Sequence, residues 1–317
     1  MTKITKNTGL VIEELSKGNP VALPTETVYG LAANSLNPDA VLKIFQVKRR
    51  PHFDPLIVHI SDITEINKYA KNIPDEVYKI ADKYSPGPIT YVIQKKKIIH
   101  DLVTSGLNTV AIRIPSHPLF LKILKELKFP LAAPSANLFG RISPTSAVEV
   151  LKELDGKINY ILDGGKCKIG IESTILGFYD GEIIILRPGY ITKSMIEKIT
   201  DKKILIRKQK GNINSPGLLK NHYAPRTPLY YIEGEINNKI LKLYNAGFFD
   251  ISKFKSLNNL ASNLFSEIRK LDEKNFDFIM MERVINDGIG FAINDRLGKA
   301  STGSIRFEEN KITFITK

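Results

Sequence analysis

The stretch that most limits the fold of this chain runs from residue 20 to residue 60: PVALPTETVYGLAANSLNPDAVLKIFQVKRRPHFDPLIVHI. Val21–Leu23 is a short apolar run stopped by Pro24, and Leu56, Ile57, Val58 and Ile60 form a second run. Both are expected as buried strands. Between them Asn37 suits an N-cap and Pro38 the first helical position. Ala40, Val41, Ile44, Phe45 and Val47 then recur on one helical face. The helix has to stop before Pro51, because proline disfavours helical geometry in the residue preceding it. Strand, helix and strand in close succession point to an α/β fold.

The polar residues of this stretch are placed at its corners. Thr25, Glu26 and Thr27 put three hydrogen-bonding side chains after the first strand. Lys48, Arg49 and Arg50 crowd the last helical turn. Two readings stand side by side here. The helix dipole favours cations at that end, or Lys48 and Arg50 reach together for a phosphate from a fraying terminus. His59 lies inside an apolar run, where a histidine is most often a satisfied core residue.

Downstream, residues 10–15 and 74–84 have helical patterns, and residues 89–93 read as a strand after a rigid Ser-Pro-Gly-Pro turn. Lys95, Lys96 and Lys97 follow, expected as a solvated charge run. Residues 109–115, TVAIRIP, alternate strictly, with Thr109, Ala111 and Arg113 on one side. An arginine in an apolar strand either sits on an edge or faces a pocket that holds an anion, and the pocket is favoured here. A helix over 118–129 precedes a small-residue strand ending at Pro134, which delivers Ser135, Ala136 and Asn137 into a loop. Ser143 and Pro144 read as the cap and first residue of another helix, whose N-terminus would seat an anion. Residues 158–162 and 183–186 are expected as strands, with Ser173 just before a further strand and Arg187 at the end of the last.

The pattern changes after about residue 205. Residues 209–228 are expected as a linker, and His222, Tyr223 and Arg226 within it suggest that it packs as a lid. Strands and helices then alternate from residue 229, as in a small parallel Rossmann-like α/β domain. The expected division is therefore 1–208, 209–228 and 229–317.

Composition narrows the function. The chain has 317 residues, a net charge of +13 and a single cysteine, Cys167. The charge suits a polyanionic substrate or RNA. One cysteine excludes an internal disulfide and a cysteine-based zinc site. No run approaches membrane-spanning length and the N-terminus lacks a signal-peptide core, so the expected location is the cytoplasm. Walker, GxGxxG and GxSxG motifs are absent. What remains is a set of cations and hydroxyls at strand ends, which suits positioning and neutralising phosphates.

PTETVYG, Lys48-x-Arg50, TVAIRIP, Ser135-x-Asn137, SPTSA, DGG, ESTI and RPG occur in the order found in the YrdC-like threonylcarbamoyl-AMP synthases, which the chain resembles over its whole length. The linker and C-terminal part are similar to the long, two-domain form. The resemblance implies a twisted mixed-sheet catalytic domain and an ATP-dependent nucleotidyltransferase. L-threonine, bicarbonate or CO2, and ATP would yield L-threonylcarbamoyl-AMP and pyrophosphate, and a separate transferase complex would carry the carbamoyl group to tRNA. By position, Thr27, His59, Arg113, Ala133 and Ser173 would hold L-threonine. Lys48, Arg50, Asp54, Thr109, Ser135, Asn137, Ser143, Arg187 and Tyr223 would hold ATP with Mg2+, Lys48 and Arg50 being the catalytic pair on the triphosphate. Asp54 stands where the family usually has asparagine. The alternative is a basic module that binds double-stranded RNA or tRNA without chemistry. Carbamoyl transfer in hydrogenase maturation shares the domain, but the partner domains and zinc-binding cysteines of that class are missing.

Overall fold

A computed structural model describes residues 1–207, 222–309 and 311–317. The chain divides into two compact units, one of Met1–Phe139 with Ser143–Leu218, the other of Gly140–Ile142 with Leu219–Lys317.

The first unit contains β1 (Lys3–Thr5), α1 (Thr8–Ser16), β2 (Val21–Leu23), β3 (Gly30–Asn34), α2 (Pro38–Lys48), β4 (Ile57–His59), α3 (Ile66–Tyr69), α4 (Asp75–Tyr84), β5 (Ile89–Gln94), α5 (Asp101–Thr104) and β6 (Thr109–Arg113). It continues with α6 (Pro118–Leu127), β7 (Leu131–Ala132), α7 (Ala147–Leu154), β8 (Tyr160–Leu162), β9 (Thr174–Tyr179), β10 (Glu182–Arg187), α8 (Lys193–Thr200) and β11 (Leu205–Ile206). Its strands form one mixed sheet in the order β1-β8-β2-β3-β7-β4-β6-β5-β9-β10-β11.

Paired residues on neighbouring strands share a face, and faces alternate along each strand. One face carries Ala22, Leu31, Val58, Ile112, Tyr91 and Leu176 under helices α2, α4, α7 and α8, forming the main core. On the other face α1 and α6 cover the β8-β2-β3-β7 side, packing Val11, Leu15, Phe120 and Ile123 on Val21, Leu23 and Leu131. Over β4-β6-β5-β9-β10 that face is a floor of Ile57, Ala111, Val92, Ile175 and Leu186, and among the described residues no helix joins this cluster.

Asn37 caps α2 through Asp39 N–H and Ala40 N–H, and the helix ends in a left-handed Arg49, as the proline at residue 51 required. The helix expected from Ser143 starts later. Tyr29 N–H donates to the Pro144 carbonyl and Cys167 N–H to that of Thr145, which holds this segment extended. Ser146 is the cap of α7, and Glu149 accepts from Thr145 N–H and Oγ1 in return. The lysine run is also corrected in part: Lys95 is not simply solvated but ion-paired with Asp101 and bonded to Thr104 Oγ1.

The second unit contains β12 (Leu229–Glu233), α9 (Asn238–Leu241), β13 (Ala246–Phe249), α10 (Leu257–Asp272), β14 (Phe278–Met281), α11 (Gly290–Ala300), β15 (Gly303–Phe307) and β16 (Ile312–Thr316). The order β13-β14-β12-β15-β16 is a parallel α/β core, as expected. β16 adds an antiparallel edge strand that the alternating pattern did not announce.

Candidate active site

Arg113 is the last residue of β6, an interior strand between β4 and β5, so the edge alternative is excluded. The β4–β6 register sets His59 beside Arg113 and Ile57 beside Ala111. Arg113 is 4% exposed. A guanidinium cannot be buried so deeply without a counter-charge, and Glu26 provides it: Arg113 Nη2 donates to Glu26 Oε1 at 2.6 Å. Ser116 N–H donates to the other Glu26 oxygen at 3.1 Å, and Arg113 Nε donates to the Gly87 carbonyl at 3.3 Å.

Ser173, just before β9, lies at the same end of the sheet. Its hydroxyl pairs with Thr90 Oγ1 at 2.8 Å and accepts from Arg187 Nη2 at 3.1 Å, while Arg187 also grips the Ser173 carbonyl. Gly189 makes this approach possible, since a Cβ there would stand 2.4 Å from Thr174 N and 2.7 Å from the Glu172 carbonyl oxygen. Ser143 Oγ donates to Glu172 Oε1 at 2.7 Å. Ser143 is thus held by a carboxylate instead of capping a helix.

Thr27 is fully buried, its hydroxyl bonded to that of Thr25 at 2.8 Å, and its carbonyl accepts from Gly170 N–H. His59 is buried with its ring 5.2 Å from that of Phe120, and Nδ1 makes no hydrogen bond to any described residue. Burial, helped by the charge of Arg113, pushes its pKa down to about 3, so the ring is neutral at ordinary pH. Ala133 N–H donates to Ile57 O, bringing a methyl-sized side chain alongside β4.

The second group sits at the other end of the β4–β6 pair. Lys48 Nζ donates to the carbonyls of Ser135 at 2.5 Å and Asn137 at 2.6 Å, and so ties the Ser-x-Asn loop to the end of α2. Burial, and then the charge of Arg50, hold its ammonium well below the usual lysine range. Arg50 Nη2 pairs with Asp54 Oδ2 at 2.8 Å and also donates to Pro55 O, while its Nε donates to Asp54 O. Asp54 is therefore a partner of Arg50. Neither reading of the cationic turn anticipated these two anchoring roles. Thr109 opens β6 at this end, four residues from Arg113, or about 13 Å of strand.

Tyr223 belongs to the second unit, buried with a left-handed backbone, its ring stacked 5.3 Å from Phe265 and 5.5 Å from the Arg296 guanidinium carbon. Residues 209–221 of the expected lid lie outside the described residues. Glu26, Thr90 and Glu172 were not singled out as site residues from the sequence. Glu26 carried a signal as the acid between two threonines, and Glu172 as the first residue of the ESTI motif.

Residues 13–189 match the Sua5, YciO and YrdC family model, described as telomere recombination, and residues 191–302 match that of the threonylcarbamoyl-AMP synthase C-terminal domain. The threonylcarbamoyl-AMP synthase of Pyrococcus abyssi is 37% identical over 311 residues, covering 90% of this chain and 92% of that one. That of Bacillus subtilis is 40% identical over 319 residues, 92% of each chain. The structure of Pyrococcus abyssi Sua5 complexed with L-threonine matches with a TM-score of 0.89 at 34% identity, over 97% of this chain and 100% of that one.

Proposed function

The chain belongs to the threonylcarbamoyl-AMP synthase family in both its catalytic and its C-terminal domain, and on that premise we propose how its residues divide the work. It is an L-threonylcarbamoyladenylate synthase, acting at the first step of tRNA threonylcarbamoyladenosine formation. The observation that supports the division best is the buried Arg113 at the end of an interior strand, with His59 and Ser173 at the same end.

Arg113 takes the threonine carboxylate by a two-pronged contact. Ser173, Thr27 and His59 supply hydrogen bonds, His59 through its unengaged Nδ1, and Ala133 leaves room for the small side chain. The threonine ammonium gives up a proton before it reacts. The nitrogen lone pair bonds to the carbon of CO2, and loss of a second proton leaves the carbamate. A carbamate oxygen then attacks the α-phosphorus in line. The bond to the bridging oxygen breaks, and pyrophosphate leaves with its electron pair.

Lys48 and Arg50 act at the other end of the strand pair. The triphosphate spreads over the loop that Lys48 organises, with Thr109, Ser135, Asn137, Ser143 and Arg187 along the nucleotide. Asp54 serves there by fixing Arg50. Mg2+ enters as part of the MgATP substrate; among the described residues no group of three His, Cys, Asp or Glu side chains is placed to hold a metal. Bicarbonate as carbon source, hand-over to a transferase complex and weak salt-sensitive tRNA contact through the +13 charge complete the proposal. Among the described residues no helix is long and apolar enough to cross a membrane, and the proposed location is the cytoplasm.

Pyrophosphate release measured with and without L-threonine tests this. Release should require threonine. Arg113→Gln should raise the threonine KM far more than the ATP KM, and Lys48→Ala should cut release by orders of magnitude. Release independent of threonine would sink the assignment.

A further inference from the structure

The contacts of Glu26 are asymmetric. A carboxylate facing a guanidinium usually engages it with both oxygens. Here only Oε1 reaches Arg113, at Nη2, because Oε2 is drawn off by Ser116 N–H. The Glu26 backbone is equally fixed, its carbonyl accepting from Ile169 N–H at 2.8 Å. Glu26 is itself 7% exposed, so its charge is poorly screened. Arg113 is therefore steadied at Nε and Nη2 by Gly87 and Glu26. A guanidinium has five N–H donors, so donors remain for a substrate carboxylate.

The pair forms a fixed dipole: a cation with spare donors and, within 2.6 Å, an anion that cannot swing away. Its complement is a zwitterion whose carboxylate and ammonium are separated by a single carbon. A ligand carboxylate seated on Arg113 brings its α-substituent next to Glu26. We propose that Glu26 is the residue that selects an α-amino acid, by attracting the α-ammonium while Ser116 N–H keeps it from neutralising Arg113 in full. This rests on the reading that Arg113 receives the threonine carboxylate.

Two ligands separate the roles: L-threonine, and the 2,3-dihydroxybutanoate of matching configuration, in which hydroxyl replaces ammonium. Their binding to the full chain is measured by calorimetry for the parent protein, Glu26→Gln and Arg113→Gln, with circular dichroism confirming each fold. Glu26→Gln keeps an oxygen for Arg113 and removes the charge. It should weaken threonine at least tenfold and leave the hydroxy acid within about twofold, collapsing the preference for the amino acid. Equal weakening of both ligands would overturn the proposal, since Glu26 would then act only on the acid end; unchanged threonine binding would overturn it too. Should Glu26→Gln fail to fold, Glu26→Asp, which draws the charge back by one methylene, should reduce the same preference several-fold, and an unaltered preference would refute selection. Arg113→Gln should weaken both ligands alike. If it spares threonine, the underlying carboxylate assignment fails, a result distinct from failure of selection by Glu26.

Discussion

The depressed pKa of His59 makes a prediction about acid stability. In the folded chain the ring is buried beside Phe120 and Arg113 and its pKa is pushed from 6.5 down to about 3. The unfolded chain therefore binds more protons between these values. This contribution to stability is complete above about pH 6.5 and is lost as the pH falls toward 3. At pH 5 the unfolded histidine is favoured by about 1.5 pH units' worth of proton binding, or ~2 kcal/mol. The test is urea unfolding, followed by circular dichroism, of the parent and His59→Gln at pH 7.5 and pH 5.0. All other titrating groups are common to both proteins, so the difference between their pH dependences isolates residue 59. The parent should lose about 2 kcal/mol more than the variant on acidification. Parallel losses, or a His59 imidazole resonance titrating near its ordinary value, would refute the reasoning. A ring that stays neutral also implies no step in threonine affinity near pH 6.5 traceable to His59.

Gly189→Ala places a methyl against backbone atoms at 2.4 and 2.7 Å that cannot yield separately, so it should cost about 3 kcal/mol and weaken threonine binding by displacing Ser173, as thermal unfolding and calorimetry will show. Thr90→Val preserves shape but deletes the hydroxyl 2.8 Å from Ser173; it should cost about 1 kcal/mol and raise the threonine KM several-fold with little change in kcat. Thr90→Ser should restore that KM, and an unchanged KM in the valine variant would show that Ser173 needs no such partner.

How much of this was legible beforehand depends on how far apart the partners lie in the chain. The α2 cap, its stop before Pro51 and the placement of Arg113 with Thr109 and Ala111 follow from local patterns. Partnerships do not. Glu26 and Arg113 are 87 residues apart, and Thr90 and Ser173 are 83 apart. Their pairing depends on strand order, which no short window contains. Ser143 misled because Ser-Pro does match a helix start. Bonds from Tyr29 and Cys167 to the next two carbonyls override that local preference and pass the cap to Ser146. Lys48 misled differently: a cation in a last turn announces a dipole partner or an anion clamp, and only the fold shows two carbonyls around its ammonium.

The half-covered sheet explains why these pairings exist. A helix laid over β4-β6-β5 would have to bury Arg113 and Thr90 under apolar side chains, at a cost of several kcal/mol for the charge alone. Among the described residues no helix joins the apolar floor of that half, and its polar groups are tied to one another: Glu26 with Arg113, Thr90 and Arg187 with Ser173, Glu172 with Ser143. Every pair includes a group with more hydrogen-bonding capacity than the bonds described here use: three donors on Arg113, a further lone pair on each hydroxyl. Such groups are oriented before a substrate arrives. Preorganised polarity of this kind is what an in-line phosphorus substitution requires, since positioning and charge stabilisation supply most of the catalysis. The same bonds that let the fold bury charge therefore hold the donors in place for the reaction.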